Sequence, residues 1–197
     1  MLQVKYTGDA LWARIERAVE KVKQRLERAA RLLDGADIPY ALIGGNAVQL
    51  WVAQVDEAAV RNTQDVDILL NRADLPGAAR ALATGGFLFA EVAGVPMFLD
   101  GPGASPRDAV HVVYAQEKVS PLDPEPAPSV DDCQRIKDFR TLRLDALVRM
   151  KLTSFRFKDR VHLLDMISLG MIDESWLAGL SSDLRQRLQE LLDNPNA

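Results

Sequence analysis

Two neighbouring stretches decide the reading of this chain: Ala41-Leu42-Ile43-Gly44-Gly45-Asn46-Ala47-Val48, and Arg61-Asn62-Thr63-Gln64-Asp65-Val66-Asp67-Ile68-Leu69-Leu70. The apolar run from Tyr40 to Ile43 stops at a glycine pair, which predicts a buried strand entering a tight turn. Residues 47–55 are apolar on nearly every side and follow Asn46, a good N-cap residue, so a buried helix is expected there. The second stretch reads as a strand. Val66, Ile68 and Leu70 point to one face, and Arg61, Thr63, Asp65 and Asp67 share the other, because strand side chains alternate. Two carboxylates side by side on one face repel each other. A divalent cation removes that repulsion, and Mg²⁺ is the usual hard cation for such oxygens.

This pattern resembles the nucleotidyltransferase superfamily of the DNA polymerase β type. Within it, the Gly44-Gly45-Asn46-Ala47 turn and the Arg61-x-Thr63-x-Asp65-x-Asp67 strand look like the branch of AbiEii-type toxin enzymes. The resemblance implies that the glycine pair opens a helix whose amides hold nucleotide phosphates, and that Asp65 and Asp67 hold the metals. Glycine allows close backbone approach and a helix N-terminus attracts anions, so the physics agrees.

A second constellation lies downstream. Leu144, Leu147, Val148, Leu152 and Phe155 recur as the buried stripe of a helix, with Lys151 at its margin. A lysine there can snorkel to water or reach a cleft and neutralise phosphate. Lys151, Arg156, Lys158 and Asp159 resemble the lysine-then-Arg-Lys-Asp motif of AbiEii-like enzymes, which implies roles in nucleotide binding and catalysis. The plain reading of the same residues is a set of surface charge pairs, Arg156 with Asp159 among them.

The superfamily carries a third carboxylate on a later strand, and here the sequence departs from it. The strand expected over residues 109–115 gives Ala109, His111 and Val113 on the cleft-facing parity, so His111 stands where the acid belongs. His162, the only other histidine, also stands where an AbiEii-like pattern often has an acid. A histidine accepts Mn²⁺ more readily than Mg²⁺.

At 197 residues with 48% hydrophobic and 26% charged residues, the chain can bury a proper core and is expected to be globular. The single cysteine, Cys133, excludes an internal disulfide. The start, Met1-Leu2-Gln3-Val4-Lys5, has no apolar stretch after it, so no signal peptide is expected. No apolar run reaches the length of a membrane span, and a cytoplasmic protein is the default. The net charge is −4, yet residues 135–160 hold nine basic side chains against three acidic ones. Such a zone suits a polyanion such as triphosphate or RNA.

The remaining segments fill in the organisation. An amphipathic helix is expected over residues 9–33, stopped by Gly35. A second follows over 72–84, interrupted early by Pro76, then a hairpin around Gly94 and a strong strand at 109–115. The proline-rich segment 119–130 reads as an extended strap. An edge strand is expected at 139–142, and helices over 144–157, 159–169, 174–180 and 182–193. This gives an α/β (α+β) class, a nucleotidyltransferase-type mixed sheet with helices on one side and a C-terminal helical part. The expected divisions are an N-terminal helix to residue 35, a core at 36–118, the strap at 119–130 and the helical part from 131, packed as one unit.

The function expected from these readings is metal-dependent transfer of a nucleoside monophosphate from a triphosphate to a hydroxyl acceptor. The acceptor is an RNA end such as tRNA, a protein or a small molecule, and an antitoxin protein is a possible partner. Mg²⁺ or Mn²⁺ is the cofactor, on Asp65 and Asp67. Asp65, Asp67, Lys151, His111 and Asp159 form the catalytic set, and Gly44, Gly45, Asn46, Arg61, Thr63, Arg156 and Lys158 the nucleotide-binding set. The alternative is a nucleotide- or partner-binding module on the same fold, without turnover.

Overall fold

The computed structural model describes residues 5–194. Residues 1–4, part of the stretch used above to judge a signal peptide, and 195–197 lie outside the described residues. Helix α1 (Gly8–Gly35) leads into β1 (Tyr40–Ile43), which runs directly into α2 (Gly44–Val52). Then come β2 (Val66–Leu70), α3 (Leu75–Ala83), the hairpin β3 (Leu88–Val92) and β4 (Val95–Leu99), and β5 (Ala109–Tyr114). After the irregular proline-rich segment follow β6 (Cys133–Ile136), β7 (Phe139–Leu142), α4 (Leu144–Ser154), α5 (Phe157–Ser168) and α6 (Ser182–Asp193). The seven strands form one mixed sheet in the order β3-β4-β5-β2-β1-β7-β6. The β2–β5 and β1–β7 pairs are parallel and the others antiparallel.

The mixed sheet and the α/β class are as expected, but helices cover both faces of the sheet rather than one. Both parities of β1 are apolar, so each face needs cover. Tyr40, Leu42, Val66, Ile68, Leu70, Phe98, Val110 and Val112 pack against Leu26, Ala29, Ala30 and Leu33 of α1 and Ala78 and Leu82 of α3. Ala41, Ile43, Leu69 and Leu142 pack on the other side against Ala47, Val48 and Val52 of α2, Leu147, Val148 and Leu152 of α4, and residues of α5 and α6. Asp67 has the parity of Leu69 and therefore lies on this second face.

Other boundaries also moved. Helix α2 begins at Gly44, so Asn46 lies inside its first turn and is not its N-cap; that position falls to Ile43. Strand β2 begins at Val66, so alternation governs Asp67 but not Arg61, Thr63 and Asp65, which precede it. Pro76 sits in the first turn of α3, where its missing N–H costs nothing. β7 is not an edge strand: it lies between β1 and β6, and β6 is the edge.

Candidate active site

The glycine pair is required by what lies against it. Gly44 has φ +67°, and a side chain there would drive its Cβ into the Asp67 carboxylate. A Cβ on Gly45 would sit 2.8 Å from Thr63 Oγ1. Both contacts demand glycine, because Cβ atoms do not approach so closely. The first turn of α2 is thereby pressed against Asp67 and against the loop leading to it. Ile43 offers no side-chain acceptor to this turn, so its leading amides are uncapped and form an anion-attracting end. Asn46, 4% exposed, donates from Nδ2 to the Asp65 carbonyl at 2.6 Å, and Gln49 donates to the Arg61 carbonyl at 2.7 Å. The loop that carries Thr63 and Asp65 is thus hung on α2.

His111 lies directly across from Asp67 in the β2–β5 register. Its Nδ1 is 3.6 Å from Asp67 Oδ1, and Nε2 faces the Pro106 carbonyl at 3.0 Å. A separation of 3.6 Å is long for a hydrogen bond and describes a close charge pair. The Asp67 carboxylate holds the imidazole above its ordinary pKa, against the effect of burial. Asp65 has a different neighbour, Lys158, with Nζ 3.6 Å from Oδ2. Among the described residues, no three His, Cys, Asp or Glu side chains are gathered to hold a metal by themselves.

Lys151 is turned inward rather than snorkelling. It is 4% exposed and donates to Asp159 Oδ1 at 2.9 Å. Asp159, 1% exposed, accepts also from Ser154 Oγ at 2.7 Å and from Arg156 Nε at 2.8 Å. Burial raises the Asp159 carboxyl, but the Lys151 charge and the hydrogen bonds from Arg156, Lys151 and Ser154 outweigh it and bring it down to about 2. Burial pushes the Lys151 ammonium down, opposed by Asp159 and then by Asp67. That second carboxylate places Lys151 within electrostatic reach of the Asp67 side of the cleft. The Arg156–Asp159 pair expected on plain grounds is present, but as one spoke of a buried hub.

Arg61 makes a two-pronged contact with Asp165 on α5, Nε to Oδ2 at 2.5 Å and Nη2 to Oδ1 at 3.0 Å. Asp165 was not singled out in the sequence; the contact spans 104 residues and leaves no local signal. Ser154 and the Pro106 carbonyl were not singled out either, although each lies only five residues from its partner, Asp159 and His111. His162 lines a small recess with Gly45, Gln49, Arg61 and Asp165. Burial, and then the Lys151 charge, bring His162 down to about 4, and its buried Nδ1 has no partner among the described residues. The basic zone is largely neutralised: Arg135 pairs with Asp34, Arg143 with Asp132 and Asp145, Arg149 with Glu125, and Arg160 with Glu190. No described helix is long and apolar enough to cross a membrane.

Neither a family model nor a curated protein matches the chain by sequence. Solved structures do match by shape. An antigenic nucleotidyltransferase-like protein from Paracoccidioides brasiliensis is 19% identical with a TM-score of 0.56, and the match covers 90% of each chain. The structure of ANT(2″)-Ia in complex with adenylyl-2″-tobramycin is 13% identical with a TM-score of 0.54, covering 83% of this chain and 94% of that one. At such identities the likeness is one of architecture, and it agrees with the strand–glycine–helix–strand unit built above: the chain has the nucleotidyltransferase fold.

Proposed function

We propose that the protein is a metal-dependent nucleotidyltransferase that moves a nucleoside monophosphate from a triphosphate to a hydroxyl acceptor. The observation that carries this reading is the contact of Gly44 with Asp67, which sets a carboxylate against the uncapped first turn of α2. One end of the cleft then attracts anions and the other a cation, as a metal–triphosphate needs. Asp65 and Asp67 fit a hard divalent ion: they supply two carboxylates, with exposures of 37% and 22% that leave room for oxygens from triphosphate and water. When bound, Mg²⁺ or Mn²⁺ neutralises charge that develops on the phosphoryl oxygens. The α2 amides, with Gly44, Gly45 and Thr63 fixing their approach, hold the phosphates. Lys158 exchanges its contact with Asp65 for a phosphate, and Lys151 adds fixed positive charge from behind. Asn46 and Arg61 act by holding the loop of Asp65, and Asp159 by holding Lys151.

With the basic zone largely ion-paired, the feature that tilted the acceptor toward an RNA end is spent on the fold, and an antitoxin partner rests on the resemblance to AbiEii-type enzymes alone. ANT(2″)-Ia was caught with an adenylylated aminoglycoside, so a small hydroxyl compound is an equally natural acceptor class. One observation favours the alternative of a binding module: His111 Nδ1 already faces an oxygen of Asp67. The test is pyrophosphate release when each of the four triphosphates is supplied with Mg²⁺ or Mn²⁺ and pools of RNA, protein or small metabolites. Metal-dependent release tied to one acceptor pool is expected. Triphosphate binding without release assigns the chain to the binding module.

A further inference from the structure

The two oxygens of Asp67 have different neighbours. Oδ2 lies where a side chain on Gly44 would go, against the first turn of α2. Oδ1 faces His111 Nδ1 at 3.6 Å across the β2–β5 pair. The other ring nitrogen, Nε2, is 3.0 Å from the Pro106 carbonyl. A carbonyl only accepts, so Nε2 carries the hydrogen, and in the neutral ring the lone pair is on Nδ1. A nitrogen lone pair and a carboxylate oxygen then face each other 3.6 Å apart. A cation is what such a pair can share, since ligand bonds of about 2.1 Å let one ion touch both atoms. The His111 and Asp67 side chains are 21% and 22% exposed, which leaves the remaining positions to oxygens of triphosphate and water.

The ring is held in this orientation from the opposite face of the sheet, where α1 packs. Pro106 belongs to the loop of residues 100–108 between β4 and β5, and Arg25 of α1 grips both ends of that loop. Its Nε donates to Asp100 Oδ2 at 3.1 Å and its Nη2 to Asp108 Oδ1 at 2.9 Å. Arg28 adds a second contact to Asp100. The Asp100 amide donates to the Asp108 carbonyl at 3.1 Å and closes the base of the loop. Arg25 is 3% exposed, so the grip is that of a buried cation, which is costly to break. Metal-binding histidines characteristically donate their second N–H to a carbonyl or carboxylate, which fixes both ring and tautomer. Here Arg25 fixes the carbonyl in turn.

We propose that His111 Nδ1 and Asp67 Oδ1 ligate one ion, and that this ion is a first-row transition metal rather than Mg²⁺. This rests on the nucleotidyltransferase reading and names its metal. Mg²⁺ demands near-ideal octahedral geometry and dehydrates reluctantly, so an imidazole adds little to its binding. Mn²⁺ accepts an imidazole more readily and still suits carboxylate and water oxygens. Asp65 stands apart from the pair, with Oδ2 facing Lys158 at 3.6 Å, and joins the site when a phosphate draws Lys158 away. Arg25 is a positioning residue: it holds the carbonyl that holds the ring.

The test reads binding without turnover, with a non-hydrolysable triphosphate present. Free Mn²⁺ is counted by its EPR signal and Mg²⁺ by its competition. Bound Mn²⁺ should show the spin-echo modulation of a coordinated nitrogen, altered when the histidines carry ¹⁵N. In His111→Ala that modulation should vanish, and the ratio of Mn²⁺ to Mg²⁺ affinity should fall about tenfold, with Mg²⁺ affinity unchanged. His111→Asp should lose the modulation and bind Mg²⁺ more tightly. Arg25→Lys should lower the ratio in the same direction, as should Asp108→Asn, a milder change at a side chain that is 59% exposed. The proposal is overturned if the ratio survives His111→Ala, or if no histidine nitrogen modulates the Mn²⁺ signal. An unchanged ratio in both loop variants overturns the role of Arg25 alone. If neither ion binds with triphosphate, the nucleotidyltransferase reading falls as well.

Discussion

Replacing Asp159 with asparagine should be among the costliest single changes in the chain. The carboxylate is 1% exposed and accepts from Lys151, Ser154 and Arg156. Its pKa of about 2, against 3.8 for an unperturbed group, corresponds to about 2 kcal/mol of folded-state preference for the charged form. Asparagine forfeits that preference and leaves the Lys151 ammonium buried without an anion, and breaking a buried pair in this way costs about 3–5 kcal/mol. For a chain of this length the melting temperature should fall by roughly 6 to 20 °C. Lys151→Met should cost less, because Asp159 keeps Arg156 and Ser154, and the double variant should cost less than the two singles added. Urea unfolding of the wild type and the three variants measures this. The pH dependence has a definite sign. A carboxyl whose folded pKa is depressed stabilises above its unfolded value of about 4, and this is lost as the pH falls toward about 2. Asp159→Asn should therefore flatten the acid limb of the stability curve. An Asp159→Asn protein within about 0.5 kcal/mol of wild type would refute the buried-hub argument.

Three further outcomes are expected. Gly44→Ala should destabilise the fold by about 1–2 kcal/mol from its positive φ alone and displace Asp67, so metal–triphosphate binding should fall more than stability; calorimetry reads both. His111 should titrate above an ordinary histidine, and Asp67→Asn should bring it back, as NMR of the ring protons shows; the stability from this pair is complete below about pH 6.5 and lost as the pH rises through the raised value. His162, brought down to about 4, should remain neutral through pH 5.5 in the same spectra, and a normal titration would contradict its burial.

The parts of this fold that were legible in the sequence are those written in local patterns. The apolar stop at Gly44-Gly45, the turn at Gly94 and the periodicity of α1 each follow from neighbouring residues. Strand β6 was not legible: Cys133-Gln134-Arg135-Ile136 has no apolar alternation, because an edge strand needs only one covered face. β7 read as an edge for lack of β6. Asn46 has the chemistry of an N-cap, and only the approach of the Asp65 carbonyl reveals its use inside the helix. The basic zone misled for a related reason. Its partners Asp34, Asp132, Glu125 and Glu190 lie mostly far away along the chain, so a sum over a window counts charges that the fold pairs off. Lys151 stood at the margin of an apolar stripe, and the carboxylate eight residues on drew it inward.

The most direct test of the account is the transfer of an α-phosphate label from triphosphate to acceptor by the wild type and by the Asp65→Asn/Asp67→Asn variant. The wild type should label an acceptor with Mg²⁺ or Mn²⁺ and leave it unlabelled in a chelator. The variant should keep the fold, since the contacts it loses, Asp65 with Lys158 and Asp67 with His111, are part-exposed pairs worth about 0–1 kcal/mol each, and should label nothing. Equal labelling by wild type and variant would contradict the assignment of Asp65 and Asp67.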